Sequence, residues 1–376
     1  MSIRNCLEWN KDTKTIFKSW ISSKIVLCFV LFVVLFIGIR PSFYSIISDT
    51  FDSARFLKIA TEGYDYDIMN IAFFPLEPFL IKILTPIGAT ILNILLSLVS
   101  TYLVYILAMI RKKENPVSIA SMFALSPIQV YSMLPYTEMP FITLTLLAIV
   151  LYEQKKAYPL MGIFVGLAVC TRSAGVVLIF TIAILETIQF IKTKDWKEYL
   201  KNVQWVIPAF FLSIIHLVIC YKTTGNFFAF VEIEYTSWHH NRTNVFKILP
   251  DAIKCVMAST LLQERNYLYL FYQLVDFSFL VFYMIIVILN IVHSIKKKNV
   301  HFGTIYSSIM LIVLTSFYRN LNLPLVSKPR YIMSDTEIYQ TCFDKKYDTI
   351  KKKYCFFSLI LSTIIGLFFY CDSYFF

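Results

Sequence analysis

Long apolar runs separated by short polar or basic segments form the main pattern along the chain. A helix needs about 20 apolar residues to cross a bilayer, and Lys and Arg collect at its cytoplasmic ends. The first run, residues 25–40, follows a basic segment and precedes no small-residue cleavage site, so we expect a retained helix that leaves the cytoplasm. Further spans of alternating direction are predicted at residues 86–110, 116–134, 139–152, 158–170, 176–191, 203–220, 267–293 and 303–318.

Several of these runs, such as residues 139–152, are short for a full span, so broken or partly crossing helices are expected. The alternation places two polar loops, residues 41–78 and 221–265, on the side opposite the cytoplasm. No polar segment is long enough to build a soluble core of its own. The pattern therefore predicts an all-α polytopic membrane protein with about 8–10 helices in a single domain, residues 1–376.

The C-terminal part follows a less regular pattern. Lysines within residues 345–353 favour a cytoplasmic position just before the last apolar run, residues 354–370. Such a position requires residues 319–345 to re-enter the membrane.

Composition agrees with a membrane protein, because 57% of the residues are hydrophobic and only 16% are charged, and the mean hydropathy is +0.65. A soluble domain carries about 25% charged residues. The net charge of +11 does not point to nucleic acid, since the basic residues cluster at the ends of apolar runs and indicate topology. The eight cysteines lack CxxC spacing and are expected to be small buried hydrophobes, with a disulfide of Cys342 left open.

The first polar loop contains the sequence FDSARF, which carries the first candidate for chemistry. In a helix, Asp52 and Arg55 share one face and apolar residues can lie on the membrane. A carboxylate held just above an apolar surface is partly desolvated, which raises its pKa toward the range useful for a general base. The same spacing also fits an interfacial helix whose charges face water.

Phe73, Phe74 and Pro75 lie at the point where the chain returns to the membrane. Proline is tolerated in a first helical turn, so this segment is expected to form a rigid entry into the next helix. It can serve only that structural purpose, or it can form one wall of a cavity.

Three further charged residues are isolated between apolar runs. Glu138, at the tip Pro135-Tyr136-Thr137-Glu138, is either functional or a cap for the following helix. Arg172 must face a cavity, a carboxylate such as Glu138, or a phosphate, which suits the arginine fork. Arg330 offers a second cationic site or a simple topological charge.

The second polar loop gives weaker signals. His239 and His240 suggest a metal, but no further His or Cys stands at a coordinating spacing, so no metal site is expected. Asn241-Arg242-Thr243 matches the N-glycosylation pattern. The chain lacks GxGxxG, GxxxxGK[ST], HExxH and GxSxG motifs, so soluble nucleotide-sugar or ATP chemistry is unsupported.

The order of these motifs resembles the GPI mannosyltransferase 2 family. The resemblance is carried by Phe51 to Phe56, Ile59-Ala60, Gly63-Tyr64, Ala72 to Pro75, Pro135 to Glu138, Arg172 to Gly175, Arg330-Tyr331, Ser334 and Tyr339. The family usually has tryptophan where Phe51 stands and asparagine where Ala174 stands.

The resemblance implies a GT-C type glycosyltransferase of the endoplasmic reticulum membrane with a lumenal active site. It would add the second mannose, in α-1,6 linkage, from dolichyl-phosphate-mannose to the GPI-anchor precursor by an inverting reaction. It implies no cofactor, no metal and no nucleic acid, two lipid-linked substrates and, in some members, a small accessory membrane subunit. Another dolichyl-phosphate-sugar-dependent enzyme of this type, a lipid transporter or flippase, and a non-catalytic scaffold remain alternatives.

Within this resemblance each candidate residue acquires an expected role. Asp52 is expected to be the general base. Donor phosphate or sugar is expected to be bound by Arg172, Glu138, Arg330 and Arg55. The cavity is expected to be lined by Phe73, Phe74, Pro75 and Tyr136.

Overall fold

The computed structural model describes residues 10–237, 241–261, 267–318, 328–342, 357–358, 360–367 and 370. The paired histidines 239 and 240 and the lysines at 345–353 lie outside these residues, and so do the expectations that rest on them.

Helices make up almost all of the described chain. They are α1 (Lys11–Phe36), α2 (Phe43–Asp49), α3 (Asp52–Glu62), α4 (Leu76–Ile110), α5 (Pro116–Leu125), α6 (Glu138–Glu153), α7 (Tyr158–Thr171), α8 (Gly175–Thr193), α9 (Trp196–Asn202), α10 (Val206–Thr224), α11 (Ala229–Thr236), α12 (Val245–Leu261), α13 (Tyr267–Lys297), α14 (Phe302–Thr315), α15 (Lys328–Ser334) and α16 (Glu337–Cys342). Three 3₁₀ segments lie at Ile68–Ala72, Pro127–Met133 and Val203–Trp205. Two short strands, β1 (Asn241–Arg242) and β2 (Phe317–Tyr318), pair antiparallel.

Within the described ranges, five helices are long and apolar enough to cross a membrane. They are Lys11–Phe36, Leu76–Ile110, Gly175–Thr193, Trp196–Thr224 and Gln273–Lys297. A sixth span results if the 3₁₀ segment Pro127–Met133 and α6 are counted together, and α5, α7 and α14 are shorter apolar helices. The expected all-α polytopic membrane protein is confirmed, and the total of 8–10 spans stays a prediction.

Helix α1 starts well before the apolar run that predicted it. Asn10 caps the helix by accepting hydrogen bonds from the backbone N–H groups of Asp12 and Thr13, so the helix begins at Lys11 and not at residue 25. The apolar run marks only the part of α1 that can lie in lipid. Polar residues can also be helical, so the helix extends beyond this run to its N-terminal cap.

The predicted span at residues 116–134 is broken. Helix α5 ends at Leu125, and Pro127 begins a 3₁₀ segment, since proline lacks the N–H that would continue the helical ladder. This segment and α6 are bent by 114°. The expectation of broken helices is confirmed here, and the break forms the tip that carries Tyr136 and Glu138.

Buried polar side chains of α1 and α4 hold this broken segment. The Lys24 ammonium donates to Gln129 Oε1 (2.8 Å) and Ser132 Oγ (2.5 Å). The Asn93 amide donates to the carbonyls of Leu134 (2.8 Å) and Tyr136 (2.9 Å). The 3₁₀ segment and tip are therefore fixed against two neighbouring helices.

Apolar packing surrounds this centre. The largest core cluster takes buried residues from α1, α2, α4 to α8, α10, α13 to α16 and the helical residues 360–367. Helix α7 lies tightly on the segment containing α10, because the positions of Gly162 and Gly166 leave no room for a side chain beyond hydrogen. The bundle thus brings the tip, the start of α3, the end of α7 and α15 together.

Candidate active site

Asp52 is the first residue of α3, where the positive end of the helix dipole favours a carboxylate. Its backbone N–H donates to the Tyr136 hydroxyl (3.1 Å), which donates to the Thr50 carbonyl (3.3 Å). The preceding residue, Phe51, has φ 39° and ψ −112°, a strained conformation for a bulky side chain. Local strain and a hydroxyl from the tip therefore fix the point where α3 begins.

A chain of ion pairs runs inward from Asp52. Arg330 on α15 contacts Asp52 Oδ2 through Nη1 (2.7 Å) and Glu138 Oε1 through Nε (2.5 Å). Arg172, at the end of α7, donates through Nη1 to the same Glu138 oxygen (2.5 Å). The structure thus brings together four of the predicted site residues from four different elements.

Asp52 is the most exposed member of this chain of ion pairs. The Asp52 side chain is 25% exposed and that of Arg330 12%, whereas Arg172 is 5% exposed and Glu138 is fully buried. Burial opposes the charge of Arg330, but the Glu138 and Asp52 carboxylates outweigh it and raise the pKa of Arg330 well above its ordinary value. Asp52 is therefore the accessible end of a buried charged network.

Tyrosine rings enclose the two guanidinium groups. The Tyr331 ring lies 4.1 Å from the Arg172 guanidinium carbon, and the rings of Tyr131 and Tyr136 lie 5.7 and 5.5 Å from that of Arg330. These distances suit cation–π attraction and leave the guanidinium edges for hydrogen bonding. Tyr136 was predicted as a lining residue; Tyr131 was missed, and the only signal for it was an aromatic residue shortly before the tip.

Part of the hydrogen-bonding capacity of this network is unused. Among the described residues, Glu138 Oε2 and Arg172 Nη2 are buried and make no hydrogen bond, and Arg330 Nε approaches Glu138 without hydrogen-bond alignment. Buried polar atoms are normally satisfied. An arginine edge beside a carboxylate oxygen can receive a phosphate or the hydroxyls of a sugar.

Arg55 occupies a different place. It makes its ion pair with Asp67 (2.5 Å), and both side chains are partly exposed. The Met69 backbone N–H and the Arg55 guanidinium lower the pKa of Asp67. Arg55 therefore ties α3 to the polar loop, and its role in binding phosphate or sugar stays a prediction.

Of the predicted lining residues, Phe73 is linked to the charged network and Phe74 packs against a different helix. The Phe73 ring packs edge-on against Phe56 (5.4 Å), which packs edge-on against Tyr136 (6.3 Å), so Phe73 is linked to the site through one ring. Phe74 stacks on His216 of α10 (4.1 Å). Pro75 directly precedes α4.

The Phe74 contact connects the start of α4 to α10. His216 is buried, and Phe230 of α11 packs against both rings. Sequence reasoning missed His216, because one histidine in an apolar run carries no distinctive signal. The segment from Phe73 to Pro75 thus serves as the rigid helix entry that was expected, and its role as a cavity wall stays a prediction.

Within the described ranges, no group of three or more His, Cys, Asp or Glu residues is arranged to hold a metal ion. The four ion-paired residues consist of two carboxylates and two guanidinium groups. Their formal charges sum to zero, and the unused Nη2 of Arg172 can donate a hydrogen bond to a phosphate oxygen.

Comparison with known proteins gives a structural similarity and no sequence match. No family model matches the chain, and no curated protein matches it. Among solved structures, the chain is similar to ArnT from Cupriavidus metallidurans, crystallised with undecaprenyl phosphate bound. The identity is 12% and the TM-score 0.47 over 86% of this chain, which spans 61% of the length of that protein.

Proposed function

We propose that the chain is a membrane glycosyltransferase of the GT-C type that takes its sugar from a polyprenyl phosphate. More particularly, we propose that it transfers mannose from dolichyl-phosphate-mannose to the GPI-anchor precursor and adds the second mannose in α-1,6 linkage. The first statement is supported by the site; the second also needs the motif resemblance from Phe51 to Tyr339.

The observation that carries the proposal is the chain of ion pairs from Asp52 through Arg330 and Glu138 to Arg172. It places a partly exposed carboxylate beside two buried guanidinium groups. A sugar transfer from a lipid phosphate needs a base for the acceptor hydroxyl and positive charge for the leaving phosphate. Both requirements are met within this one group of side chains.

In the proposed step, the acceptor 6-hydroxyl oxygen forms the new bond to the anomeric carbon of the donor while its proton passes to Asp52. The bond between that carbon and the phosphate oxygen breaks, and dolichyl phosphate leaves with the electron pair. Arg172 and Arg330 stabilise the phosphate. Attack opposite the leaving group converts the β-linked donor into an α-linked product.

Glu138 holds both guanidinium groups in place, and its free oxygen can orient a sugar hydroxyl. The reaction as proposed uses no cofactor, since the guanidinium groups carry the phosphate charge. Both substrates are lipid-linked, and the proposed location is the endoplasmic reticulum membrane with the site facing the lumen. A small accessory membrane subunit is part of the same proposal.

The proposal is tested by complementation of cells that lack the second GPI mannosyltransferase. We expect the native chain and the control Asp65→Asn, an exposed carboxylate in the same loop, to clear the one-mannose precursor. We expect Asp52→Asn to leave it in place at matched protein abundance. If a well-expressed native chain fails to clear the precursor, the GPI acceptor is wrong.

A further inference from the structure

Glu77 is a second buried carboxyl group that the proposed reaction does not use. It is the second residue of α4 and follows Pro75 by two positions. Its exposed fraction is 1%, and neither of its carboxyl oxygens makes a hydrogen bond of good geometry among the described residues, although the Asn93 side chain lies within hydrogen-bonding reach. Leaving a carboxyl group buried without partners is costly, so this position needs an explanation.

Among the described residues, the neighbours of Glu77 offer few hydrogen-bond donors. The Asn93 amide and the Glu138 carboxylate are its polar neighbours. The Asn93 amide nitrogen already donates to the Leu134 and Tyr136 carbonyls, which occupies both of its hydrogens. Arg172 and Arg330 both contact Glu138, and neither forms an ion pair with Glu77.

The result is a group of buried acceptors beside the charged network. Both oxygens of Glu77, Oδ1 of Asn93 and Oε2 of Glu138 are buried, and within the described part of the chain none of them accepts a hydrogen bond. A group that offers several acceptors matches a ligand that presents several donors. The vicinal hydroxyls of a sugar ring are such a ligand, and a carboxylate binds two of them at once.

We propose that Glu77 is a sugar-binding residue that accepts hydrogen bonds from ring hydroxyls, with Asn93 Oδ1 and Glu138 Oε2 completing the same subsite. This proposal rests on the proposed function, since it supplies the sugar. The ring belongs to either the lipid-linked donor or the glycolipid acceptor, which share this chemistry. Kinetics with each substrate varied in turn distinguishes the two.

The first test uses the full-length protein in proteoliposomes and compares native chain, Glu77→Gln and the control Glu62→Gln, an exposed glutamate at the end of α3. Glutamine keeps the shape but replaces one acceptor oxygen by an NH₂ donor, so it cannot accept hydrogen bonds from two hydroxyls through two oxygens. We expect Glu77→Gln to raise the KM of one substrate roughly tenfold or more, with little change in kcat. The substrate whose KM rises identifies the ring.

Thermal stability separates this role from a structural one. Glu77→Gln removes a buried, unpartnered carboxyl group, so the Tm without substrate should equal or exceed that of the native chain. The rise in Tm caused by dolichyl-phosphate-mannose or by the acceptor should shrink in the variant. A structural carboxylate would give the opposite result, a lower Tm without substrate.

Three outcomes overturn the role of Glu77. The first is an unchanged KM for both substrates in Glu77→Gln, and the second is a lower Tm together with a lost kcat in that variant. The third is a Tm that Mg²⁺ alone raises in the native chain but not in Glu77→Gln. The last outcome would make the acceptor group a cation site. If the native chain neither transfers sugar nor responds to either lipid-linked substrate, the proposed function itself fails, and the role of Glu77 fails with it.

Discussion

At the scale of single residues, one oxygen of Glu138 holds two guanidinium groups inside the bundle. Removing one partner from a buried ion pair leaves uncompensated charge, which costs about 3–5 kcal/mol. We therefore expect Glu138→Gln to lower the stability strongly, because it leaves two buried arginines with Asp52 alone. Thermal unfolding of the purified protein in detergent measures the loss.

Asp52→Asn is the matched comparison for Glu138→Gln. Asp52 is partly exposed, and its loss leaves Arg330 paired with Glu138. We expect a much smaller drop in Tm than for Glu138→Gln. Equal drops for the two variants would contradict the order of burial in the network.

Asp335 gives the stability a defined pH dependence. It lies between α15 and α16 and accepts hydrogen bonds from the Tyr283 and Ser307 hydroxyls (both 2.6 Å). Burial raises the pKa of Asp335 from 3.8 to about 6. The folded protein therefore binds the Asp335 proton more tightly than the unfolded chain does. The contribution of this proton to the free energy of unfolding is complete below pH 4 and is lost as the pH rises through about 6.

The measurement compares unfolding of the native chain and Asp335→Asn across that pH range. The native chain should lose up to about 3 kcal/mol relative to the variant, since one pKa unit corresponds to about 1.4 kcal/mol. Asparagine keeps the shape of the protonated acid and does not titrate. Parallel stability curves for the two proteins would show that Asp335 does not titrate in this range.

The sequence predicted the charged residues of the site better than its neutral ones. Glu138, Arg172 and Arg330 stand isolated between apolar runs, where a charge needs a partner, and Asp52 lies in the first polar loop. Tyr131 and Asn93 look like ordinary members of apolar runs until the fold brings distant groups to them. Their roles depend on contacts between residues far apart in the chain, which periodicity does not encode.

At the scale of elements, the packing of α7 gives a direct test. A side chain at Gly162 would overlap the Trp205 carbonyl, and one at Gly166 would overlap Leu212. We expect Gly162→Ala to destabilise the protein by about 1–3 kcal/mol, because the two helices must separate. In the control Gly366→Ala, the nearest atom lies 3.5 Å from the added methyl group, so the Tm should stay close to native.

Gly162→Ala also connects packing to the site, because Arg172 directly follows the last residue of α7. A shift of α7 displaces the Arg172 guanidinium from Glu138. Sugar transfer by the folded fraction should therefore fall as well. An unchanged Tm and unchanged transfer would contradict the close packing of α7 against Trp205.

Helix existence was easier to predict than helix limits. Apolar runs predicted the positions of the long helices, but Asn10 extends α1 by capping it and Pro127 divides the run at 116–134. Both effects come from single residues, and a hydropathy average does not resolve them. The tip that carries Tyr136 and Glu138 follows the Pro127 break, so the least regular part of this run contributes to the candidate site.

At the scale of the whole molecule, a lumenal reaction requires the start of α3 to lie across the membrane from the basic end of α4. The predicted sidedness comes from Lys and Arg clusters such as Arg111-Lys112-Lys113. We expect a glycosylation acceptor sequence inserted between Tyr64 and Asp65 to be modified in microsomes, and one inserted after Lys113 to remain unmodified. Both insertions are made in the Asn241→Gln variant, which lacks the native acceptor sequence.

The reverse pattern of modification would place the site on the cytoplasmic side and contradict a lumenal reaction. Sidedness follows from charge asymmetry between loops, so the sequence predicts it. The packing of the helices around the broken segment does not follow from charge, since it depends on pairs such as Lys24 with Gln129.

The most direct test of the central claim is mannose transfer by the purified protein in proteoliposomes that contain dolichyl-phosphate-mannose and the one-mannose GPI precursor. The native chain and Asp65→Asn should form the two-mannose product. Asp52→Asn should fold normally and transfer roughly a hundredfold more slowly or worse, as expected for the loss of a general base. Equal rates for Asp52→Asn and the native chain would contradict the account of the site, and a folded native chain without transfer would contradict the proposed reaction.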